Sequence, residues 1–122
     1  MNYKKDYMKL TIIAGARPNF MKVAPIIHEL ENQMQMGKSI TYRLVHTGQH
    51  FDKKMSDTFF NELNIPLPDV NLKCGGGSHS EQTASILIAF EKELTANPAD
   101  LVLVVGDVTS TMACSIVAKK LN

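Results

Sequence analysis

Apolar residues along the chain follow two alternating patterns. One is a short run of consecutive apolar and β-branched residues closed by a glycine or a polar corner, which predicts a buried β-strand. The other is an apolar residue at every third or fourth position, which predicts an α-helix that buries one face. The strand pattern occurs at 9–14, 40–48 and 99–106 and, as the weakest case, at 70–72. The helix pattern occurs at about 19–36, 52–63, 78–94 and 109–121.

Pro25 stands inside the first predicted helix. A proline within a helix removes one backbone hydrogen bond and clashes with the carbonyl four residues earlier. We therefore expect Pro25 to lie near the first turns of this helix and to delay or kink it.

The strict alternation of strand and helix predicts an α/β fold. In such folds a Rossmann-like parallel sheet carries helices on both faces. In the common strand order 3-2-1-4 the first and fourth strands are neighbours, and their carboxyl ends border the crevice in which these folds bind ligands. A further strand is expected after the last helix. The sequence is therefore interpreted as part of a larger fold, with 99–106 as an exposed edge strand.

Composition places the chain among ordinary globular domains. It has 122 residues, 44% of them apolar and 20% charged, with a net charge of +1, which excludes a disordered segment and does not favour nucleic acid as a partner. No apolar run reaches the roughly 18 residues of a membrane helix, so no membrane partner is expected.

Cys74 and Cys114 form no CxxC pair, which is typical of reduced thiols and predicts a cytoplasmic protein. The first residues imitate a secretory signal, but their apolar stretch is short and the same strand-to-loop design recurs at 101–107.

The first strand ends in the corner "GARPNFMK", residues 15–22. Gly15 permits a close turn, and Pro18 suits the first turn of a helix. Free backbone N–H groups at a helix start favour an anion, to which Arg17 adds a planar fork and Lys22 a further charge. Cations at a helix start are unfavourable without an anion, so an anion site is favoured over two solvated charges. The corner matches neither a GxGxxG nor a Walker loop, so no dinucleotide cofactor or P-loop ATP chemistry is expected.

Two further corners carry residues that commonly cap helices. Asp107 directly follows the fourth strand, and hydroxyl residues follow at 109–111; one of these four is expected to cap the last helix. Asp107 is therefore either a cap or, beside the anion corner, a general acid or base or a group that orients a sugar hydroxyl. Ser78 and Glu81 match a capping box, which favours a structural role for both.

The remaining polar candidates follow or lie within the predicted strands and helices. Gln49 and His50 follow the second strand and either bind a ligand or complete a turn. His28 and His46 lie inside a helix and a strand, where structural roles are expected. The histidines and cysteines show no metal-ligand spacing, so no metal is expected.

With these corners, the chain resembles the amino-terminal half of the non-hydrolysing UDP-N-acetylglucosamine 2-epimerases. The matching stretches, in the family's order, are "GARPNFMKVAPII", "VHTGQHFDKKMSDTFFNELNIPLPDVNL", "GSHSEQTA" and "DLVLVVGDVTSTMA". The resemblance implies a GT-B architecture, in which two Rossmann-like domains enclose the active site. It also implies an isomerase that interconverts UDP-GlcNAc and UDP-ManNAc for bacterial surface polysaccharides, while related epimerases act on diacetylated uronic-acid analogues.

The resemblance further implies a role for each corner. Arg17 matches the arginine that contacts the UDP portion, and Lys22 matches a catalytic-site lysine. Asp107 matches an active-site aspartate. Gln49 and His50 match a pair near the nucleotide-sugar and regulatory-ligand region. The resemblance implies a UDP-sugar substrate, no redox cofactor, and a homodimer.

Under this interpretation residues 1–8 form an amino-terminal extension, and residues 9–122 form part of the first domain of a GT-B enzyme. The polypeptide is then expected to be inactive without the second domain. Two alternatives remain open. One is half of a GT-B glycosyltransferase, which would transfer the sugar to an acceptor. The other is a stand-alone anion- or nucleotide-binding module of flavodoxin-like shape.

Overall fold

A parallel β-sheet lies at the centre of the molecule. The computed structural model describes residues 7–48, 57–106 and 109–121. Its elements are β1 (Met8–Ala14), α1 (Arg17–Gln35), β2 (Ile40–His46), α2 (Asp57–Glu62), β3 (Val70–Asn71), α3 (His79–Ala96), β4 (Leu101–Val104) and α4 (Thr109–Leu121). The four strands of the described residues are ordered β3-β2-β1-β4, and each neighbouring pair is parallel. The predicted α/β class is confirmed, and the strand order is the common one in which the first and fourth strands are neighbours.

Each face of the sheet has its own hydrophobic core. Successive residues of a strand point to opposite faces. Ile12 and Leu44 accordingly pack against α1 and α2, whereas Ile13 and Val45 pack against α3 and α4. Because both faces are covered, the central strands are apolar throughout rather than alternating. This arrangement confirms the prediction of helices on both sides.

Each of the long helices buries one side against the sheet. The α1 side chains that are completely buried are Phe20, Val23 and Ile27. Those of α3 are Ile86 and Phe90. No helix in the described part of the chain is both long and apolar enough to cross a membrane.

Helix α1 does not follow the expectation for Pro25. It begins at Arg17 and continues past Pro25 to Gln35, so the prediction of a delayed start with Pro25 in the first turns is wrong. An interior proline costs about 3 kcal/mol, whereas burying one large apolar side chain contributes about 1.5–3 kcal/mol. Three such side chains on α1 outweigh the proline.

Strand β4 is shorter than predicted and lies at the edge of the described sheet. It pairs only with β1 in that sheet, from Leu10 opposite Leu101 to Ile13 opposite Val104. Leu101 is 51% exposed. A groove of about 600 Å³ lies beside β4 and is lined by residues of α3, β4 and α4. The predicted exposed edge is therefore present among the described strands.

Polar side chains fix the amino edge of the sheet and one of its faces. The Asp100 carboxylate accepts a hydrogen bond from the backbone N–H of Lys9 at 2.8 Å and links the starts of β1 and β4. Arg43 on β2 donates two hydrogen bonds of 3.0 Å to Glu93 on α3. Both contacts lie away from the carboxyl ends of the strands, so their role is to hold the fold.

Candidate functional site

The first and fourth corners meet at the carboxyl edge of the sheet. Ile13, one residue before the end of β1, pairs with Val104, the last residue of β4. Beyond this pair, a Cβ built on Gly106 would lie only 2.9 Å from Nδ2 of Asn19. A side chain of the first corner therefore touches the backbone of the fourth, as the predicted strand order requires.

The predicted site residues divide into two groups. Asp107, Gln49 and His50 lie outside the described residues, so their roles stay predictions. Arg17 and Lys22 are described, and both are exposed on α1.

Arg17 is supported by an aromatic ring. It is the first residue of α1, and its guanidinium carbon lies 4.9 Å from the ring centroid of Phe59 on α2. Phe59 is itself buried and packs edge-on against Phe60, with ring centroids 5.3 Å apart. A guanidinium over an aromatic face is stabilised by about 0.5–2 kcal/mol and can still present its planar fork to a phosphate or carboxylate. Sequence reasoning missed Phe59, for which the only signal was two adjacent aromatics in a short predicted helix.

Lys22 lies on a different side of α1 from Arg17. Five helical positions correspond to a rotation of about 140° around the helix axis. Lys22 forms no ion pair with the residues that the structure describes. The structure thus does not bring the two cations onto one face of the helix, and the catalytic role of Lys22 stays a prediction.

Asn19 organises the first corner, although the sequence analysis did not single it out. Its side chain is 5% exposed, and Oδ1 accepts hydrogen bonds from the backbone N–H groups of Gly15 at 3.1 Å and Ala16 at 3.0 Å. Ala16 occupies the N-cap position of α1 but has no side-chain acceptor. The asparagine at the third helical position instead accepts from the backbone N–H of this N-cap residue, which is the reciprocal half of a capping box. The available signal was an asparagine soon after an Arg-Pro pair.

The hydrogen bonds made by the backbone N–H groups at the start of α1 change how this corner can attract an anion. The N–H groups of Asn19 and Phe20 donate to the carbonyl of Ala16, at 2.9 and 3.4 Å, and Pro18 has no N–H. Fewer free N–H groups are therefore available at this helix start than a helix start ordinarily offers. Attraction of an anion depends instead on the Arg17 guanidinium and the helix dipole.

A buried hydroxyl pair joins the second and fourth corners. Oγ1 of Thr47 and Oγ of Ser110 are 2.8 Å apart, and their side chains are almost completely buried. Thr111 donates from Oγ1 to the carbonyl of Val105 at 2.8 Å. Because α4 begins at Thr109, the hydroxyl residues at 109–111 lie inside the helix and none is its N-cap. Asp107, the other predicted candidate, lies outside the described residues.

His46 has the structural role that its position predicted. Nδ1 accepts a hydrogen bond from the N–H of Gly48 at 3.1 Å, and the ring packs edge-on against Phe20 at 5.1 Å. Burial lowers the pKa of His46 below its ordinary value, and the backbone carbonyl of Ala14 acts in the opposite direction. The described His, Cys, Asp and Glu residues form no group of three that could hold a metal ion.

The other residues with predicted structural roles also form structural contacts. The Ser78 hydroxyl accepts from the N–H of Glu81, and the Glu81 carboxylate accepts from the N–H of Ser78, both at 3.1 Å. The capping box is therefore confirmed, and the bond from the Ser78 N–H lowers the pKa of Glu81. His28 contacts the carbonyls of Leu63 at 2.9 Å and Asn64 at 3.1 Å through Nε2, and so fastens α1 to the end of α2.

Comparison with known proteins finds epimerases of nucleotide sugars. The family model described as UDP-N-acetylglucosamine 2-epimerase matches residues 32–122. A UDP-N-acetylglucosamine 2-epimerase of Methanocaldococcus jannaschii is 44% identical over 115 residues, which are 94% of this chain and 30% of that protein. A UDP-2,3-diacetamido-2,3-dideoxy-D-glucuronate 2-epimerase of Pseudomonas aeruginosa is 40% identical over 115 residues. These residues are 94% of this chain and 31% of that protein.

The fold agrees with a solved structure of the same kind. The crystal structure of the M. jannaschii UDP-GlcNAc 2-epimerase in complex with UDP-GlcNAc and UDP matches with a TM-score of 0.83 and 44% identity. The match covers 93% of this chain and 30% of that one. The chain therefore spans about 30% of the length of these relatives.

Proposed function

The chain belongs to the UDP-N-acetylglucosamine 2-epimerase family, and from this premise we propose that it is the amino-terminal part of an enzyme that interconverts UDP-GlcNAc and UDP-ManNAc. Residues 9–122 contribute part of one Rossmann-like domain, after an extension at 1–8, and a second domain of the complete enzyme closes the cleft. The match of 93% of the chain to an epimerase in complex with UDP-GlcNAc and UDP supports this assignment. We further propose a cytoplasmic homodimer that supplies ManNAc units for bacterial surface polysaccharides.

The proposed reaction inverts C2 of the sugar, beside the acetamido group. The C2 proton is only weakly acidic, so direct removal and return of this proton is unfavourable. Elimination breaks the C2–H bond and the C1–O bond together, which releases UDP and leaves a glycal. Re-addition of UDP at C1, with a proton delivered to the other face of C2, gives the epimer. This route needs a base for the proton and cations for the departing diphosphate.

The contact between the first and fourth corners is the observation that carries the assignment of residues. It sets the Arg17 corner beside the loop that continues from Gly106 into Asp107. In the proposal Arg17 binds the diphosphate, since its guanidinium is held over an aromatic ring and has no charged partner among the described residues. Asp107 and Lys22 serve proton transfer at the sugar.

Gln49 and His50 complete the proposed substrate site at the second corner. They follow Gly48, which lies at the carboxyl edge of the sheet, two residues after the end of β2. Thr47, on the other side of Gly48, is linked to Ser110 of α4. The second corner is thereby joined to the fourth, which supports a shared site.

A second substrate is favoured by a specific relative. The P. aeruginosa protein that is 40% identical over 94% of this chain is named for UDP-2,3-diacetamido-2,3-dideoxy-D-glucuronate. That sugar keeps the acetamido group at C2 and the leaving UDP at C1, so the same elimination applies. It differs by a second acetamido group at C3 and a carboxylate.

The test is to incubate the complete enzyme with each UDP-sugar in D₂O and to follow the products by proton and phosphorus NMR. The proposal expects a mixture of the two C2 epimers with deuterium at C2 for one of the substrates. Sugar transfer to an acceptor without epimer formation would favour the glycosyltransferase. Tight UDP binding without any turnover would favour the binding module.

A further inference from the structure

Asn19 makes two kinds of contact that join different parts of the carboxyl edge. Oδ1 accepts from the N–H groups of Gly15 and Ala16, the turn that leads from β1 into α1. Because both of these backbone groups are donors, the atom that faces them must be the amide oxygen of Asn19. The amide nitrogen, Nδ2, therefore points away from the turn. Nδ2 lies at the fourth corner, 2.9 Å from the position that a Cβ on Gly106 would take.

The close approach of Asn19 leaves no room for a side chain at position 106. Gly106 has a φ of +86°, a conformation that residues with a side chain rarely adopt. An added Cβ would also collide with the Asn19 amide. Asn19 is 5% exposed, so its own side chain is confined by the surrounding core. A side chain is therefore excluded at position 106, where the backbone of the fourth corner lies close to the Asn19 amide.

From this geometry we infer that Asn19 is a positioning residue for the proposed epimerisation. Its two backbone bonds set the turn that carries Arg17, and its contact with Gly106 sets the start of the loop that carries Asp107. The inference rests on the proposed function, because it assigns Asn19 to the reaction of those two residues.

Elimination explains why a fixed separation matters. A base must reach the C2 proton while a cation meets the diphosphate that leaves C1, so the two groups act on neighbouring atoms in one step. A displacement of about 1 Å between reacting groups reduces rates by roughly 100-fold. Binding of UDP alone does not require the fourth corner, so a change in the separation of the two corners affects UDP affinity less than kcat.

The chain offers a matched control at the opposite edge of the same two strands. The Asp100 carboxylate links β4 to the backbone N–H of Lys9 in β1 at 2.8 Å. Asp100→Ala therefore also removes a side-chain contact to the β1 backbone, but at the amino edge of the sheet. A purely structural role for Asn19 predicts that Asn19→Ala and Asp100→Ala behave alike.

The experiment compares Asn19→Ala and Asp100→Ala in the complete enzyme by steady-state kinetics, UDP titration and hydrogen exchange. For Asn19→Ala we expect kcat to fall between about 10-fold and 100-fold, and UDP affinity to fall by a smaller factor. Hydrogen exchange of the backbone amides of residues 104–111 should become faster in this variant. Asp100→Ala should lower the melting temperature but leave kcat and this exchange unchanged.

Asn19→Asp adds a readout that a structural role would not move. The aspartate keeps the shape and the Oδ1 acceptor but places a negative charge beside Gly106. A like charge raises the pKa of a carboxyl group, so the acidic limb of the kcat profile, assigned to Asp107, should move to higher pH. If Asn19→Ala does not fold, this variant carries the test, and an unmoved acidic limb would overturn the inference.

Two results from Asn19→Ala would also overturn it. One is a kcat no lower than that of Asp100→Ala. The other is a reduced kcat with unchanged exchange across 104–111, because the two corners would then not be coupled. A wild-type enzyme that epimerises no UDP-sugar would refute the proposed function instead. The exchange comparison would in that case decide alone whether Asn19 couples the corners.

Discussion

Arg17 is held in place by an aromatic side chain. Its guanidinium lies over Phe59 rather than beside a carboxylate of the described residues. A carboxylate partner would neutralise the charge and occupy the planar fork, whereas an aromatic face orients the group and leaves both its charge and its donors available. At the scale of single residues, this arrangement favours binding of an external anion.

Replacing Arg17 tests this argument in the complete enzyme. Arg17→Ala should weaken UDP binding by about 1.5–3 kcal/mol, the range for hydrogen bonds to charged groups. The control is Lys38→Ala, which removes an exposed cation just after the other end of α1. Isothermal titration with UDP measures both, and an unchanged affinity in Arg17→Ala would contradict the assignment.

His46 predicts a pH dependence of stability. Burial lowers its pKa in the folded protein, while the unfolded chain keeps a value of about 6.5. Above pH 6.5 both states are neutral and the contribution of His46 is fully present. Below it the unfolded state binds the proton first, so the free energy of unfolding falls as the pH decreases.

Urea unfolding between pH 8 and pH 5 measures this effect. His46→Gln cannot titrate, so its free energy of unfolding should decline less between pH 6.5 and pH 5 than that of the wild type. Parallel declines in the two proteins would refute the prediction.

The helices differ in how far their starts could be predicted. The capping box of α3 was readable from the sequence because Ser78 and Glu81 lie three positions apart and satisfy each other. Helix α1 has an alanine at its N-cap, so capping preferences place no start there. Its start depends on the Asn19 amide and on the core side chains that hold the helix against β1 and β2. Helix starts are predictable where the cap is local, and otherwise depend on packing.

Ser78→Ala should destabilise α3 through loss of its N-cap. Removing a serine cap costs about 1 kcal/mol, and the decrease should appear in the free energy of unfolding. Ser80→Ala is the matched control, since Ser80 is an exposed serine in the first turn of the same helix. Equal stabilities of the two variants would show that the Ser78 cap contributes nothing.

At the scale of the whole molecule, the strand order determines which corners can form one site. Because β1 lies between β2 and β4, its corner borders the corners on both sides. The Thr47–Ser110 pair joins the second corner to the fourth, and the Asn19–Gly106 contact joins the first corner to the fourth. In the proposed enzyme these corners belong to one domain, and a second domain supplies the rest of the cleft.

We therefore expect the 122-residue polypeptide to convert no UDP-GlcNAc under conditions in which the complete enzyme reaches equilibrium. Chromatography of the UDP-sugars after equal incubation with each protein measures this difference. Detectable UDP-ManNAc from the polypeptide would show that one domain suffices for the chemistry.

The sequence alone determined the features that depend on near neighbours or on simple topology. Runs of apolar residues predicted the strands, apolar spacing predicted the helices, and the alternation of the two predicted a parallel α/β sheet. The order β3-β2-β1-β4 is the common one for such sheets, and the structure decided it. Only the tertiary structure decided that Asn19 would meet Gly106, that Phe59 would lie under Arg17, and that Thr47 would pair with Ser110. Each of these contacts joins residues from different corners or elements, and its geometry depends on how the helices pack on the sheet. No local pattern records that packing, because it results from the combined burial of side chains across both cores.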